Sequence, residues 1–435
     1  QRAEARRLWL AALDQKAEFH VDRTLTLLRS AIRADSSYFL AYDLYIREMA
    51  ALLRYDQLRR EFPEPPHTAS VLVQCVSGAA RFARGFDFPA LQFVLRRLNG
   101  LPDPSGCRAA VGARYRQSVP PEQSLVEVRE ALAREPESDN TLWIRYSVLL
   151  NSMGRREEAA AALLEGIRRS PHPVHSLALQ LQLVSQRELM GDSAGARQLR
   201  TAIGVSVARD GRPYLRWFYL EPLAIAMRHV GDIAGMDSLL WERVTIAHRA
   251  GAVEAECWSL YVLGWARLDL SSDPRASLPP LSRSIALAEK IGSPYLISVV
   301  YARRGRAFVK LGDFARAEPE MRRALAATAA NDVYGLAEAH QSLAQIYEGL
   351  GRWLEAVREA DRFRWHAREL RKTWEDSPMF MMSLRAGGMI RWKAGWHAAA
   401  RESFEKMVQV IEQLGHSFYY SGEYYERIGN FDQAM

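Results

Sequence analysis

Lysine is scarce in this chain of 435 residues, and arginine supplies most of its positive charge. Only six of the 58 basic residues are lysines, and 51 acidic residues leave a net charge of +7. A nucleic-acid-binding surface needs basic residues that cluster without acidic neighbours. The most basic stretch, Arg352 to Asp376, contains seven basic and six acidic residues. The composition therefore argues against a nucleic-acid partner.

Cysteine is also rare, and long apolar runs are missing. Cys75, Cys107 and Cys257 are the only cysteines, and they form no C-x-x-C pair. The sequence therefore indicates neither a zinc site nor a dense disulfide framework. No run approaches the roughly 18 apolar residues of a membrane span. Gln1 comes first and no apolar leader follows it, so both the cytoplasm and export after removal of a leader stay open.

Strand-like alternation of apolar and polar residues is nearly absent, which predicts an all-α protein. Hydrophobic residues make up 48% and charged residues 25% of the chain, as in ordinary folded proteins. Three common catalytic motifs are missing: there is no G-x-x-x-x-G-K, no G-x-G-x-x-G after a strand and no H-E-x-x-H. The sequence therefore predicts neither an enzyme nor a bound cofactor or metal.

One short pattern does recur along the chain. A small residue is followed by an aromatic residue three positions later, then by a glycine, and then by a small residue five positions after that glycine. The second clear copy lies 39 residues after the first. The three clearest copies are Gly305, Phe308, Gly312, Phe314 and Ala317; Ala344, Tyr347, Gly351, Trp353 and Ala356; and Gly422, Tyr425, Gly429, Phe431 and Ala434.

The pattern predicts pairs of amphipathic helices that are joined by a glycine turn. Glycine tolerates the left-handed conformation that ends the first helix, and the small residue lets the second helix pack closely against the first. The glycine and small-residue element extends the series to further units, at Gly154 and Ala159, Gly191 and Ala196, Gly231 and Met236, and Gly395 and Ala400.

This pattern resembles the tetratricopeptide repeat family, whose signature is W-x2-L-G-x2-Y, then A-x3-F-x2-A and a later proline. Helix ends such as Arg249-Ala250-Gly251 resemble the longer repeat variant of bacterial sensor and regulatory proteins. The resemblance implies an all-α solenoid of stacked helix-turn-helix repeats that forms a right-handed superhelix. The best single match consists of Trp143, Tyr146, Ser147, Leu150, Gly154, Ala159, Leu163, Gly166 and Pro171.

The strength of the repeat signal divides the chain into three parts. Residues 1–100 carry only degenerate copies and are predicted to form a helical-repeat lobe. Residues 101–123 contain several prolines and glycines and read as a joint, although a long loop within one continuous solenoid is equally consistent. Residues 124–435 form the clear solenoid. We expect it to be incomplete at its C-terminal end, because the second helix that is predicted to begin near Phe431 stops at Met435.

The resemblance also names a binding groove. In this family the first helix of each repeat points its second, fifth, ninth, twelfth and thirteenth positions inward. An aromatic patch beside basic residues suits a protein or peptide that carries acidic and apolar anchor groups. The alternative is that the aromatic residues fill the core between repeats. The predicted groove residues are Trp258, Tyr261, Trp265, Arg306, Lys310, Gln341, Gln345, Arg385, Met389 and Trp392. The same register also points Glu338, Glu348, Met382 and Lys393 inward.

The leading hypothesis is therefore a non-enzymatic protein–protein interaction scaffold that presents this concave groove. A second hypothesis is a sensor region of a larger protein. The tract from Arg391 to Trp396 and the aromatic stretch from Tyr419 to Tyr425 resemble the repeat region that precedes a caspase-like CHAT protease domain in bacterial proteins. No protease residues are found in this chain.

A third hypothesis assigns chemistry to isolated residues. His172 and His175 could be imagined as metal ligands, but their proline-broken segment reads as a surface loop. Cys107 lacks a nearby histidine to act as its base and reads as a passive loop cysteine. Four carboxylates of the repeat helices read as solvated surface, namely Glu318, Glu320, Glu355 and Glu359.

Overall fold

The computed structural model of the chain is helical wherever it describes secondary structure, and the described residues contain no strand. The predicted all-α repeat architecture is confirmed. The chain forms two compact units, residues 1–296 and residues 297–435. The described residues are 1–51, 55–63, 70–83, 94, 97–98, 101, 107, 121–134, 140–229, 231–270, 273–330, 332–373 and 378–414.

The helices follow one another as antiparallel pairs. Those of the first unit are α1 (Arg2–Ala17), α2 (Val21–Ala34), α3 (Phe39–Ala51), α4 (Tyr55–Glu61), α5 (Val71–Ala83), α6 (Pro121–Arg134), α7 (Asn140–Ser152), α8 (Arg156–Arg169), α9 (Pro173–Leu189), α10 (Ser193–Asp210), α11 (Pro213–His229), α12 (Ile233–Arg249), α13 (Val253–Leu270) and α14 (Leu278–Ile291). The division between the units falls within α15 (Pro294–Lys310), which α16 (Phe314–Ala327), α17 (Val333–Gly349), α18 (Trp353–Thr373), α19 (Pro378–Lys393) and α20 (His397–Leu414) follow.

The turn inside each repeat has the geometry that its glycine predicts. Gly312 has φ +72°, a left-handed conformation that side-chain-bearing residues rarely adopt. Asp313 then caps α16, because its carboxylate accepts the backbone N–H of Arg316 at 3.1 Å. Ending one helix and capping the next within two residues reverses the chain direction.

Small residues lie where paired helices touch, as the repeat pattern predicted. Ala159, Ala317 and Ala356 are fully buried. Gly166 faces the indole of Trp143 so closely that an added Cβ would lie 2.6 Å from the Cγ of that ring. The tryptophan position and the last small-residue position of the repeat signature, which Gly166 occupies, are therefore a packing pair in this chain.

We expect that replacing Ala317 with leucine destabilises the second unit by about 1 to 3 kcal/mol, because the larger side chain overpacks the contact between helices. Ala315 lies on the same helix but is exposed. The same substitution there should change the free energy of unfolding by less than about 0.5 kcal/mol. Thermal and urea unfolding of both variants measure the difference. Equal costs at the two positions would show that the helix register is wrong.

The first unit contains a disulfide that the cysteine spacing did not indicate. Cys75 of α5 is bonded to Cys107, with their Cα atoms 6.2 Å apart, and Cys257 is a buried free cysteine. The predicted joint at 101–123 lies mostly outside the described residues, and so does the last repeat copy near Gly429. The division into a lobe, a joint and a solenoid stays a prediction.

Candidate functional site

The predicted groove residues are distributed over four first helices of the repeats. Trp258, Tyr261 and Trp265 belong to α13, in the first unit. The other seven belong to the second unit. They lie on α15 (Arg306 and Lys310), on α17 (Gln341 and Gln345) and on α19 (Arg385, Met389 and Trp392).

Two ion pairs connect neighbouring first helices of the second unit. The guanidinium of Arg306 on α15 donates to the carboxylate of Glu338 on α17 at 3.0 Å. The ammonium of Lys393 on α19 donates to the carboxylate of Glu348, also on α17. All four side chains occupy inward positions of the predicted register. The inward positions of α15, α17 and α19 therefore lie next to one another, and we call this surface the first-helix face.

The first-helix face combines apolar and positively charged side chains. Met382 is 42% and Met389 36% exposed, and Lys310, Gln345 and Arg385 are exposed as well. Gln341 and Trp392 are half-buried. The charged residues of the face are four cations, Arg306, Lys310, Arg385 and Lys393, and two carboxylates, Glu338 and Glu348. With four cations and two carboxylates, the face carries excess positive charge.

Sequence reasoning missed one member of this surface. Tyr334 lies one helical turn before Glu338 on α17, is exposed, and donates its hydroxyl to that carboxylate at 3.4 Å. The family register begins at Glu338 and therefore omits it. Extending the helical spacing by four residues towards the N-terminus of α17 would have included it.

The aromatic residues of α13 divide into two groups. The rings of Trp258 and Tyr261 lie 5.0 Å apart, and both pack against a cluster of buried residues that includes Leu240 and Leu263. Trp265 is 36% exposed. Filling the core thus accounts for the contacts of the first two residues, while Trp265 keeps a solvent-accessible indole.

The two histidines of the proline-broken segment are buried, so the prediction of a surface loop is wrong. His172 is only 7% and His175 only 2% exposed. The sequence could not show this, because the residues that cover them come from α1, far away along the chain. Among the residues that the structure describes, no group of three or more His, Cys, Asp or Glu side chains could hold a metal ion.

Cys107 is neither a passive free cysteine nor an activated thiol, because it is bonded to Cys75. The remaining thiol, Cys257, is fully buried and lies 3.3 Å from the backbone oxygen of Ser284. Burial raises the pKa of this thiol to about 11. At neutral pH Cys257 is therefore protonated and a poor nucleophile.

All four carboxylates that were predicted to be solvated lie instead in ion pairs, and Glu355 pairs with Arg352. Glu320 receives two hydrogen bonds from Arg304, at 2.8 and 2.9 Å, and Glu318 binds both Arg322 and Arg352. Glu359 is buried and lies 2.6 Å from Nδ1 of His340. Arg322 lies one turn after Glu318 on the same helix, but Arg304, Arg352 and His340 come from other parts of the chain, and no local spacing pairs these three with Glu320, Glu318 and Glu359.

A second histidine stacks on that buried pair. The rings of His340 and His366 lie 5.3 Å apart and nearly parallel. Burial, with a smaller contribution from His340, lowers the pKa of His366 to about 4. These residues form a polar contact between α17 and α18, and nothing in their geometry points to catalysis.

Comparisons with known proteins agree with the repeat pattern. A tetratricopeptide repeat family model matches residues 299–331, the unit that contains Gly305 and Gly312. No curated protein sequence matches the chain significantly.

Solved structures similar to the chain share little sequence with it. One is a signal transduction ATPase with numerous domains and a tetratricopeptide repeat sensor, from Pyrococcus horikoshii, at 11% identity and TM-score 0.49. That match covers 88% of this chain and 65% of the ATPase, so the chain spans less than two thirds of it. Another is aspartyl phosphate phosphatase F from Bacillus subtilis, at 11% identity and TM-score 0.42, in a match that covers 96% of this chain and 97% of the phosphatase. A third is a human IFIT1 dimer with PPP-AAAA, at 12% identity and TM-score 0.38, in a match that covers 92% of this chain and 89% of the IFIT1 chain.

Proposed function

We propose that this chain, which contains tetratricopeptide repeats, is a non-enzymatic scaffold that binds a protein or peptide on the first-helix face. The row of inward side chains on α15, α17 and α19 carries this proposal. Two observations support it: ion pairs join inward positions of neighbouring first helices, and methionine and arginine side chains are exposed together on α19.

The chemistry of the face favours a partner with acidic and apolar groups. Met382 and Met389 are flexible and polarisable, and such side chains adapt to varied apolar surfaces. Arg385 is exposed between them along α19 and can bind a carboxylate through two parallel hydrogen bonds. An acidic residue flanked by apolar residues would satisfy both kinds of contact.

The substitution Arg385→Glu tests this proposal, because it reverses the exposed charge that lies between Met382 and Met389 on α19. We expect slower association with the natural partner and an affinity reduced about tenfold or more, with a larger effect at low ionic strength. Affinity capture from the source cells, followed by titration of the captured partner with purified variants, gives the measurement.

Arg368→Glu is the matched control, because Arg368 is an exposed arginine on α18, the second helix of the preceding repeat. This variant should bind the partner as the unaltered chain does. Circular dichroism should show the same helix content in both variants. If the two substitutions weaken binding equally, the face is not the binding surface and only the net charge matters.

The alternative of a sensor region beside a CHAT-like protease domain stays a prediction. A gene product that continues into a caspase-like domain would favour it. In that case the first-helix face would hold the signal that regulates the protease, and Arg385→Glu should change protease activation as well as binding.

A further inference from the structure

The N-terminal hairpin α1–α2 lies against repeats that are far away along the chain. The carboxylate of Asp14 lies 3.0 Å from Nε2 of His172 and accepts a hydrogen bond from Arg212 at 3.2 Å. These contacts span 158 and 198 residues. In a simple solenoid each repeat contacts only its neighbours, so the hairpin makes an additional contact that closes the first unit.

The turn of the hairpin is held by an aromatic contact. Phe19 has φ +60°, a left-handed conformation that is uncommon for a residue with a side chain. Its ring lies 5.3 Å from that of Tyr214 and 5.5 Å from that of Trp217, both at the start of α11. Backbone strain of this kind persists where the surrounding contacts fix the residue. Phe19 therefore anchors the hairpin on α11.

A buried histidine lies beneath the hairpin. His175 of α9 is 2% exposed, and its ring lies 5.1 Å from the indole of Trp9 on α1. The nearby cations are Lys16 on α1, which pairs with Glu48, and Arg47 on α3, which pairs with Asp43. His172 also disfavours a proton on His175, and the carboxylate of Asp43 acts in the opposite direction. Burial first, and these cations second, hold the pKa of His175 well below its usual range.

His172 is balanced differently. Burial lowers its pKa, and the neighbouring Arg212 acts in the same direction. The hydrogen bond to Asp14 and the charge of Asp210 act in the opposite direction. A proton on His172 therefore strengthens its hydrogen bond to Asp14 but places a charge in a largely buried site, and these effects oppose each other. At His175, burial and the nearby cations both disfavour a proton. Docking of the hairpin is therefore more sensitive to acid through His175 than through His172.

We propose that the α1–α2 hairpin is an acid-sensitive clasp, which detaches from α9 and α11 when His175 takes up a proton. A protonated His175 would be a buried cation beside Lys16 and Arg47, with the apolar face of Trp9 against it. When α1 detaches, water reaches the imidazole of His175, and Lys16 moves away from that imidazole. Detachment also uncovers the aromatic side chains of Tyr214 and Trp217. The clasp belongs to the first unit and does not depend on the proposed function of the first-helix face.

The direction of the pH dependence follows from linkage. The free histidine pKa is about 6.5, and that of docked His175 is lower, so the detached state binds more protons in acid. The docked state is fully favoured above about pH 6.5. Below this value the docking equilibrium should fall by up to about tenfold per pH unit for the one histidine.

Hydrogen exchange followed by mass spectrometry tests the clasp. After correction for the intrinsic exchange rate, protection of the α1 amides should fall about tenfold or more between about pH 7.5 and about pH 5. Protection of α14, in the same unit, should stay unchanged. Unchanged protection of α1 would overturn the proposal. An equal loss in α1 and α14 would also overturn it, because the unit would then be unfolding as a whole.

The variant His175→Phe removes the titrating group and keeps an aromatic ring against Trp9. Its α1 amides should keep their protection at about pH 5. The control His248→Gln changes a histidine on α12 whose side chain is 65% exposed, and should lose protection of α1 as the unaltered chain does. Loss of α1 protection in both variants would assign the acid response to another group. If His175→Phe does not fold, the comparison of α1 with α14 in the unaltered chain decides.

Discussion

Replacing Glu221 with glutamine should destabilise the first unit by about 3 kcal/mol, because it leaves a buried cation without its counter-ion. Arg243 of α12 is 2% exposed, and its guanidinium forms an ion pair with the carboxylate of Glu221 on α11, at an N–O distance of 2.6 Å. The same guanidinium lies 4.1 Å from the ring centre of Trp217. Glutamine keeps the size and the hydrogen-bonding oxygen of glutamate but removes the charge that compensates Arg243.

Urea unfolding, with a signal from the first unit, measures the loss. The control is Glu242→Gln, the same change on α12 in a pair with Arg216 at 2.8 and 3.1 Å. Both partners of that pair are partly exposed, at 40% and 33%, so this variant should cost no more than about 1 kcal/mol. Similar losses in the two variants would mean that Arg243 is compensated by groups other than Glu221.

The repeat architecture was predictable because each repeat encodes its own turn and its own packing. Gly312 marks the residue with a left-handed backbone in the turn. Ala317, five residues after it, marks the buried position where the second helix packs closely against the first. Both signals are local, so they survive at low sequence similarity. The same register, applied to Arg306 and Lys393, named residues whose ion pairs connect adjacent first helices.

Contacts that close long loops were not predictable in this way. His172 and His175 have no sequence feature that distinguishes a surface turn from a buried one, because α1 supplies the cover. Glu320 and Glu359 are spaced like solvated carboxylates, and Arg304 and His340, which pair with them, lie on other helices. Such pairs depend on tertiary packing, which the repeat pattern does not encode.

The disulfide is another contact of this kind, and its removal gives the last prediction. Cys75 and Cys107 are separated by 32 residues, and for a closed loop of this length the chain-entropy model gives about 3 to 4 kcal/mol of stabilisation. We expect Cys107→Ser to lower the stability of the first unit by about this amount. A reducing agent should have the same effect on the unaltered chain and little effect on the variant.

Counting thiols checks the bond independently of stability. Cys257 is buried, and its raised pKa keeps the thiol protonated, so the native chain should react slowly with an alkylating reagent. After unfolding without a reductant, one cysteine should be alkylated, and with a reductant all three should be. Alkylation of three cysteines without a reductant would show that Cys75 and Cys107 are not bonded. The expected loss of stability in Cys107→Ser would then have to come from packing around the thiol, and a reductant would leave the unaltered chain as stable as before.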